Sequence, residues 1–291
     1  MCFYDKEKTM TSKEYRWGYI DPAGEFVIEP QFNDAWDFSE GLAVVRVEFL
    51  RGYINPDGSY AIEPKFQLAE SFREGIALVM ENDKYGFIDK SGHYVIEPKF
   101  DRATEFMDGR AKVEVGKLSG YINRSGEYII EPVYEYLGDF HEGVAWCKKD
   151  GKYGYIDEKG EYVLPAIYDS ADDFTNGVAY VKRGERWFYI DKEGKETEKP
   201  AIEESLESGA DAPMMVAVSD GKCGYINREG EFVIAPVYYD AGPFCEGLAK
   251  VKKGRTGKWG YINESGKTVI KPRFDNAGDF TSGLARVLIP L

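Results

Sequence analysis

The residues best suited to chemistry recur at fixed positions. Asp or Asn stands at Asp21, Asn55, Asp89, Asn123, Asp157, Asp191, Asn227 and Asn263, each with Gly three residues on. Rows of carboxylates invite a reading as metal ligands or acid catalysts, but this spacing is that of a turn. A short Asx side chain bonds its own turn backbone, Pro presets φ at the second position, and Gly supplies positive φ at the fourth. A type I turn with a bulge, joining antiparallel strands, accounts for all of them. A second acidic row, Glu29, Glu63, Glu97 and Glu131, lies in I-E-P segments and gives way to Ala235 and Lys271 later. If the repeats stack in register, these carboxylates must be solvated or matched by a cation such as Lys65 or Lys99. A solvated acidic face is expected, and with it a candidate partner-binding surface.

Other reactive groups are sparse. The two histidines, His93 and His141, stand in different registers and read as surface substitutions. The cysteines Cys2, Cys147, Cys223 and Cys245 show no C-x-x-C spacing, so neither a disulfide framework nor a zinc site is expected. There is no P-loop, G-x-G-x-x-G, G-x-S-x-G elbow or H-E-x-x-H. No catalytic residue, cofactor or metal is therefore assigned, and the chain is not expected to be an enzyme.

The elements behind these rows are repeats. Gly18, Gly52, Gly86, Gly120, Gly154, Phe188 (a replacement), Gly224 and Gly260 are spaced 34 residues apart five times and then 36 twice. A fixed period of this length marks a repeat architecture. Each unit holds three candidate strands, such as Tyr85 to Asp89, His93 to Glu97 (closed by Pro98) and Arg110 to Val115. Proline cannot donate to a ladder, so Pro30, Pro64, Pro98, Pro132, Pro236 and Pro272 should end the second strand or lie on a sheet edge. Phe38, Phe72, Phe106, Phe140, Phe174, Phe244 and Phe280 each precede a Gly by three residues and an Ala by five. Ring, bend and small residue read as one packed corner per unit. On the first strand the residue after the glycine is always Tyr or Phe, whereas the one before it varies. Its aromatic members, Trp17, Tyr85, Tyr153, Trp187 and Trp259, are the candidate ligand-stacking face, with packing as the competing role.

Of the 291 residues, 43% are hydrophobic and 15% aromatic, enough for a core and too apolar for a disordered chain. The net charge of −14 argues against nucleic-acid binding, which needs a basic footprint. No run of 18 apolar residues is present, so no membrane partner is expected. Without a secretory signal pattern at its start, the chain reads as cytoplasmic.

The sixth unit, about 187–222, is degenerate. Its stretch 195–215 lacks the corner residues and is acidic, and Glu203, Glu204, Glu207 and Met214 are candidate partner-binding residues there. The organisation expected is an N-terminal segment of residues 1–16 followed by a single array of eight units over 17–291.

The run Trp17-Gly18-Tyr19-Ile20-Asp21 through Phe38-Ser39-Glu40-Gly41-Leu42-Ala43 resembles the WG-repeat family of bacterial proteins, as does Trp259 through Phe280 and Gly283-Leu284-Ala285. The likeness covers roughly residues 17 to 287. Departures are the missing Trp in five units, the shifted proline of Leu164-Pro165-Ala166, and the sixth unit. The resemblance implies a bacterial source and an interaction-type β repeat, with no catalytic residues to carry over.

Units this small cannot bury their own faces, so neighbours must complete the core. The expected fold is all-β, with eight tandem units of three antiparallel strands in an open, twisted, solenoid-like array. The alternative is a closed, propeller-like ring, which the pairing of Trp17's strand with that of Leu284 to Pro290 would favour. The expected function is a non-enzymatic protein-interaction scaffold, with another protein as partner. The alternative is a carbohydrate or cell-envelope binding module that takes an oligosaccharide on the first-strand aromatics.

Overall fold

The computed structural model describes residues 14–198 and 214–291. All regular structure in these residues is β-strand; no helix is present among them. The strands form seven four-stranded sheets and one three-stranded sheet, none closed into a barrel. The chain divides into two compact units, one of residues 1–65 with 209–291 and one of 66–208.

The unit of residues 66–208 shows how the repeat folds. The sheet of Arg102–Ala103, Arg110–Val115, Leu118–Asn123 and Tyr128–Tyr134 is antiparallel in that order. One sheet therefore joins the third strand of one repeat to the first and second strands of the next. The stretch between second and third strands, where no strand was expected, contributes a two-residue fourth strand such as Arg102–Ala103. Two residues are too few to show an alternation in sequence, so this strand is invisible there.

The second strand also runs further than expected. It spans Tyr94–Phe100, through Pro98, rather than ending there. Pro98 is accommodated because this strand lies at the sheet edge and is bulged: Ile96 stands opposite Phe87, but the next pair is Phe100 with Tyr85. That bulge explains the glycine of the W-G pair. In the unit of residues 1–65 and 209–291, a Cβ added at Gly18 would stand 2.6 Å from the Ile28 carbonyl oxygen and 2.8 Å from the Pro30 nitrogen. Gly52, Gly86, Gly154, Gly224 and Gly260 meet the same obstruction. Where Phe188 replaces the glycine, the described part of the second strand is Glu196–Thr197, which pairs with Tyr189 and Ile190.

The turns form as expected. Gly24 N donates to Asp21 O at 2.9 Å, Glu25 N to Asp21 Oδ1 at 2.9 Å, and Gly24 has φ of 88°. The corner phenylalanines are core: Phe38, Phe72, Phe106, Phe174 and Phe280 are buried. They pack against the first-strand ring, as in Tyr155–Phe174 at 4.8 Å and Tyr261–Phe280 at 5.0 Å between centroids. The tyrosine hydroxyl then donates to a carbonyl 17 residues on, Tyr155 to Asp172 O at 2.7 Å and Tyr261 to Gly278 O at 2.8 Å. Each such tyrosine pins its own strand to its own corner.

Within residues 1–65 and 209–291, Tyr15–Ile20 pairs along its length with Ala285–Pro290. The first described strand therefore has an internal partner. Arg286 reinforces it, with Nε on Asp37 Oδ1 at 2.7 Å and Nη1 on Ala35 O at 2.8 Å. The strand begins at Tyr15, so it takes in the last two residues of the expected N-terminal segment.

Candidate interaction surfaces

The acidic row is exposed. Glu29 and Glu63 lie on edge strands of one unit, Glu97 and Glu131 on edge strands of the other. Each occupies the bulge beside its proline, where the strand has no neighbour on its outer side. The row touches the titration of nearby rings: burial first, then the Glu63 charge, pushes the Tyr60 hydroxyl up, and Glu131 acts likewise on Tyr128. Of the two lysines proposed as matching cations, Lys99 stands over the Phe100 ring at 5.1 Å.

The aromatic row is divided among separate sheets, one residue to each. Trp17 is core, 8% exposed, with Arg286 over its ring at 5.1 Å. Tyr85, Tyr153 and Trp259 are half-buried, and Tyr153 packs on Trp146 at 5.7 Å. Trp187 differs. It is 44% exposed and stacks on Tyr180 at 5.0 Å and 21°, and Tyr180 in turn lies 4.6 Å from Tyr189. Trp187 and Tyr189 belong to the degenerate unit, whose sequence lacks the corner phenylalanine, and Tyr180 comes from Ala179–Arg183 of the unit before it.

Glu203, Glu204 and Glu207 lie outside the described residues. Met214 is half-buried and packs on the core cluster of Tyr225, Ile234 and Tyr238, which gives it a structural role. Cys147 is fully buried within Val144–Lys149, and burial pushes its thiol up to about 11. Cys223 and Cys245 are half-buried and free. No group of three or more His, Cys, Asp or Glu able to hold a metal occurs among the described residues. No helix there is long and apolar enough to cross a membrane.

Sequence reasoning missed one site. Within residues 66–208 a cleft of about 530 Å³ opens between the corners of the third and fourth repeats, lined by Glu105, Asp108, Arg110, Asp139, Phe140 and Glu158 among others. Arg110 stands where the other corners carry Leu42, Ile76, Val144, Val178, Leu248 or Leu284. Its guanidinium lies over the Phe140 ring at 4.9 Å, and Nη2 meets Glu158 Oε1 at 3.0 Å. Nη1 is buried without a hydrogen-bond partner. The charged residue at an otherwise apolar corner position was the available signal.

Comparison with known proteins agrees with the repeat reading. The family described as "WG containing repeat" matches residues 17–48, 52–85, 85–118, 120–153, 153–187, 224–258 and 259–289. The gap falls on the degenerate unit. No curated protein matches. Among solved structures, virginiamycin B lyase from Staphylococcus aureus is 14% identical, covering 96% of this chain and 100% of that one, with a TM-score of 0.31. PorZ, a surface component of the type-IX secretion system of Porphyromonas gingivalis, is 10% identical over 87% of this chain and 41% of that one, with a TM-score of 0.32. Kluyveromyces lactis Hsv2 is 8% identical over 80% and 74%, with a TM-score of 0.35. At these scores the likenesses carry nothing about activity. Seven matched repeats, each with its bulge-seated glycine and ring-packed corner, place this chain in the family of WG-containing repeat proteins.

Proposed function

We propose that the chain is a non-enzymatic scaffold that binds another protein. The observation that carries this reading is how the repeat spends its residues. The Asx and Gly of the turns, the glycine beneath the bulge, and the Tyr–Phe corner are all engaged in folding. What remains exposed from repeat to repeat is the edge strand, with Glu29, Glu63, Glu97 and Glu131 and apolar neighbours such as Val27 and Val95. Exposed carboxylates beside exposed apolar side chains suit a partner surface that is apolar with basic groups at its margin. The test is capture from a lysate of the source organism by the native protein and by a variant with these four glutamates changed to lysine. A protein held by the native chain and lost from the variant supports the reading. Equal capture by both removes the acidic row from it.

A second reading rests on the Tyr180–Trp187 stack, whose exposed indole offers a face to a sugar ring. Adding oligosaccharides while following tryptophan fluorescence tests it. A shift that Trp187→Ala abolishes favours an oligosaccharide ligand, and no shift with any sugar excludes it.

A further inference from the structure

The corners of residues 66–208 carry a contact between residues 50 apart, and one corner lacks it. At the second corner, Arg124 Nη2 donates to the Glu74 carbonyl oxygen at 2.7 Å and pairs with its carboxylate. At the fourth, Lys192 Nζ donates to the Glu142 carbonyl oxygen at 2.7 Å and lies 3.3 Å from its Oε2. Each base comes from the second position of an Asx turn and clamps a corner residue with positive φ, 53° at Glu74 and 52° at Glu142. The corner between them has Asp108, with φ of 51°, and the residue 50 further on is Glu158. An acid stands where the neighbouring corners have a base, and the cleft lies at this place.

The charges in the cleft can be followed one by one. Glu105 pairs with Arg73 at 3.4 Å, Asp139 with Lys112 at 2.9 Å and Glu158 with Arg110 at 3.0 Å, while His141 faces Asp173 at 3.6 Å. Asp108 has no cation among the described residues. Arg110 does not pair with it: its guanidinium lies over the Phe140 ring with Nη2 on Glu158, and its Nη1 is buried without a partner. The cleft is therefore short of one positive charge, at a position that a guanidinium or ammonium fills on either side.

We propose that this cleft receives one arginine or lysine side chain from a partner protein, its charged head set against Asp108 as Arg124 and Lys192 are set against Glu74 and Glu142. The stem of such a side chain lies along apolar surface while its head reaches the carboxylate, and the exposed Met107 supplies that surface. The assignment rests on the protein-interaction reading and adds a defined contact to it.

The experiment is an amide NMR titration of the full chain with the peptide Ac-Gly-Arg-Gly-NH2, against Ac-Gly-Gln-Gly-NH2 at matched ionic strength. The arginine peptide is expected to move the amides of Asp108, Gly109 and Gly143 saturably, and the glutamine peptide is not. Asp108→Asn keeps a residue that tolerates the left-handed backbone and should weaken binding at least fivefold. Glu158→Lys supplies the base within the chain and should abolish the response. Equal movement by both peptides, or unchanged binding in Asp108→Asn, overturns the proposal whether or not Glu158→Lys folds. Putrescine acting as well as the peptide would overturn the assignment to a protein side chain. The scaffold reading is judged separately, by capture with the four-glutamate variant, so the two can fail independently.

Discussion

The glycine of the W-G pair is held by another strand's backbone. A Cβ at Gly52 would stand 2.6 Å from both the Ile62 carbonyl oxygen and the Pro64 nitrogen, and neither can rotate away. Gly52→Ala is expected to cost about 3 kcal/mol, the upper end of what overpacking costs, measured by denaturant unfolding. The tyrosine that follows the glycine is a hydrogen-bond pin. Tyr155→Phe should cost about 1 kcal/mol, the net worth of its bond to Asp172 O. Burial pushes the Tyr19, Tyr121, Tyr155, Tyr225 and Tyr261 hydroxyls well above their ordinary value. A raised pKa in the folded state means that the unfolded chain releases these protons first. Their contribution is whole below the ordinary tyrosine value of about 10 and is lost as pH rises beyond it. Alkaline titration should therefore unfold the protein above about pH 10, and Tyr155→Phe should make that loss shallower. A stability flat to strong alkali would contradict the buried pins.

At the scale of the elements, two hairpins between repeats are capped by an Asp that follows the second strand. Asp101 pairs with Lys84 and accepts from Gly116 N at 2.7 Å, which together hold its carboxyl below the usual carboxylate range. Asp169 does the same with Lys152 and Gly184 N. Because these pKa values are lowered on folding, the caps hold above the ordinary Asp value and loosen as pH falls through the folded one. Asp101→Ala should speed amide exchange at Gly116 and Lys117 and leave the corner amides unchanged; unaltered exchange there would show that the cap is idle. The turns and corners were legible in the sequence because everything that shapes them lies within a few residues. The bulge over Gly18 was not, since Pro30 shows that the strand is interrupted but not onto what it presses. The cleft was hidden for a similar reason: Asp108 and Glu158 look ordinary until the corner of one repeat is known to meet the turn 50 residues on.

For the whole molecule, the repeated all-β array was legible from its period, and so was the prospect that its first and last strands are partners. Tyr15–Ile20 draws its inner partner from Ala285–Pro290, so the first repeat depends on the last. Removing residues 285–291 should lower the thermal midpoint by about 10 °C or more, the shift expected from losing a few kcal/mol. Removing Leu291 alone should change little, and equal midpoints for the longer deletion and the native chain would show that the pairing adds nothing.

The proposed scaffold would hold its partner by exposed edge-strand residues rather than by the repeat signature. Calorimetric titration of the captured partner into the native protein and into the variant with Glu29, Glu63, Glu97 and Glu131 changed to lysine tests it most directly. At least tenfold weaker binding at an unchanged thermal midpoint is the predicted result. Equal affinity in the two proteins would contradict it.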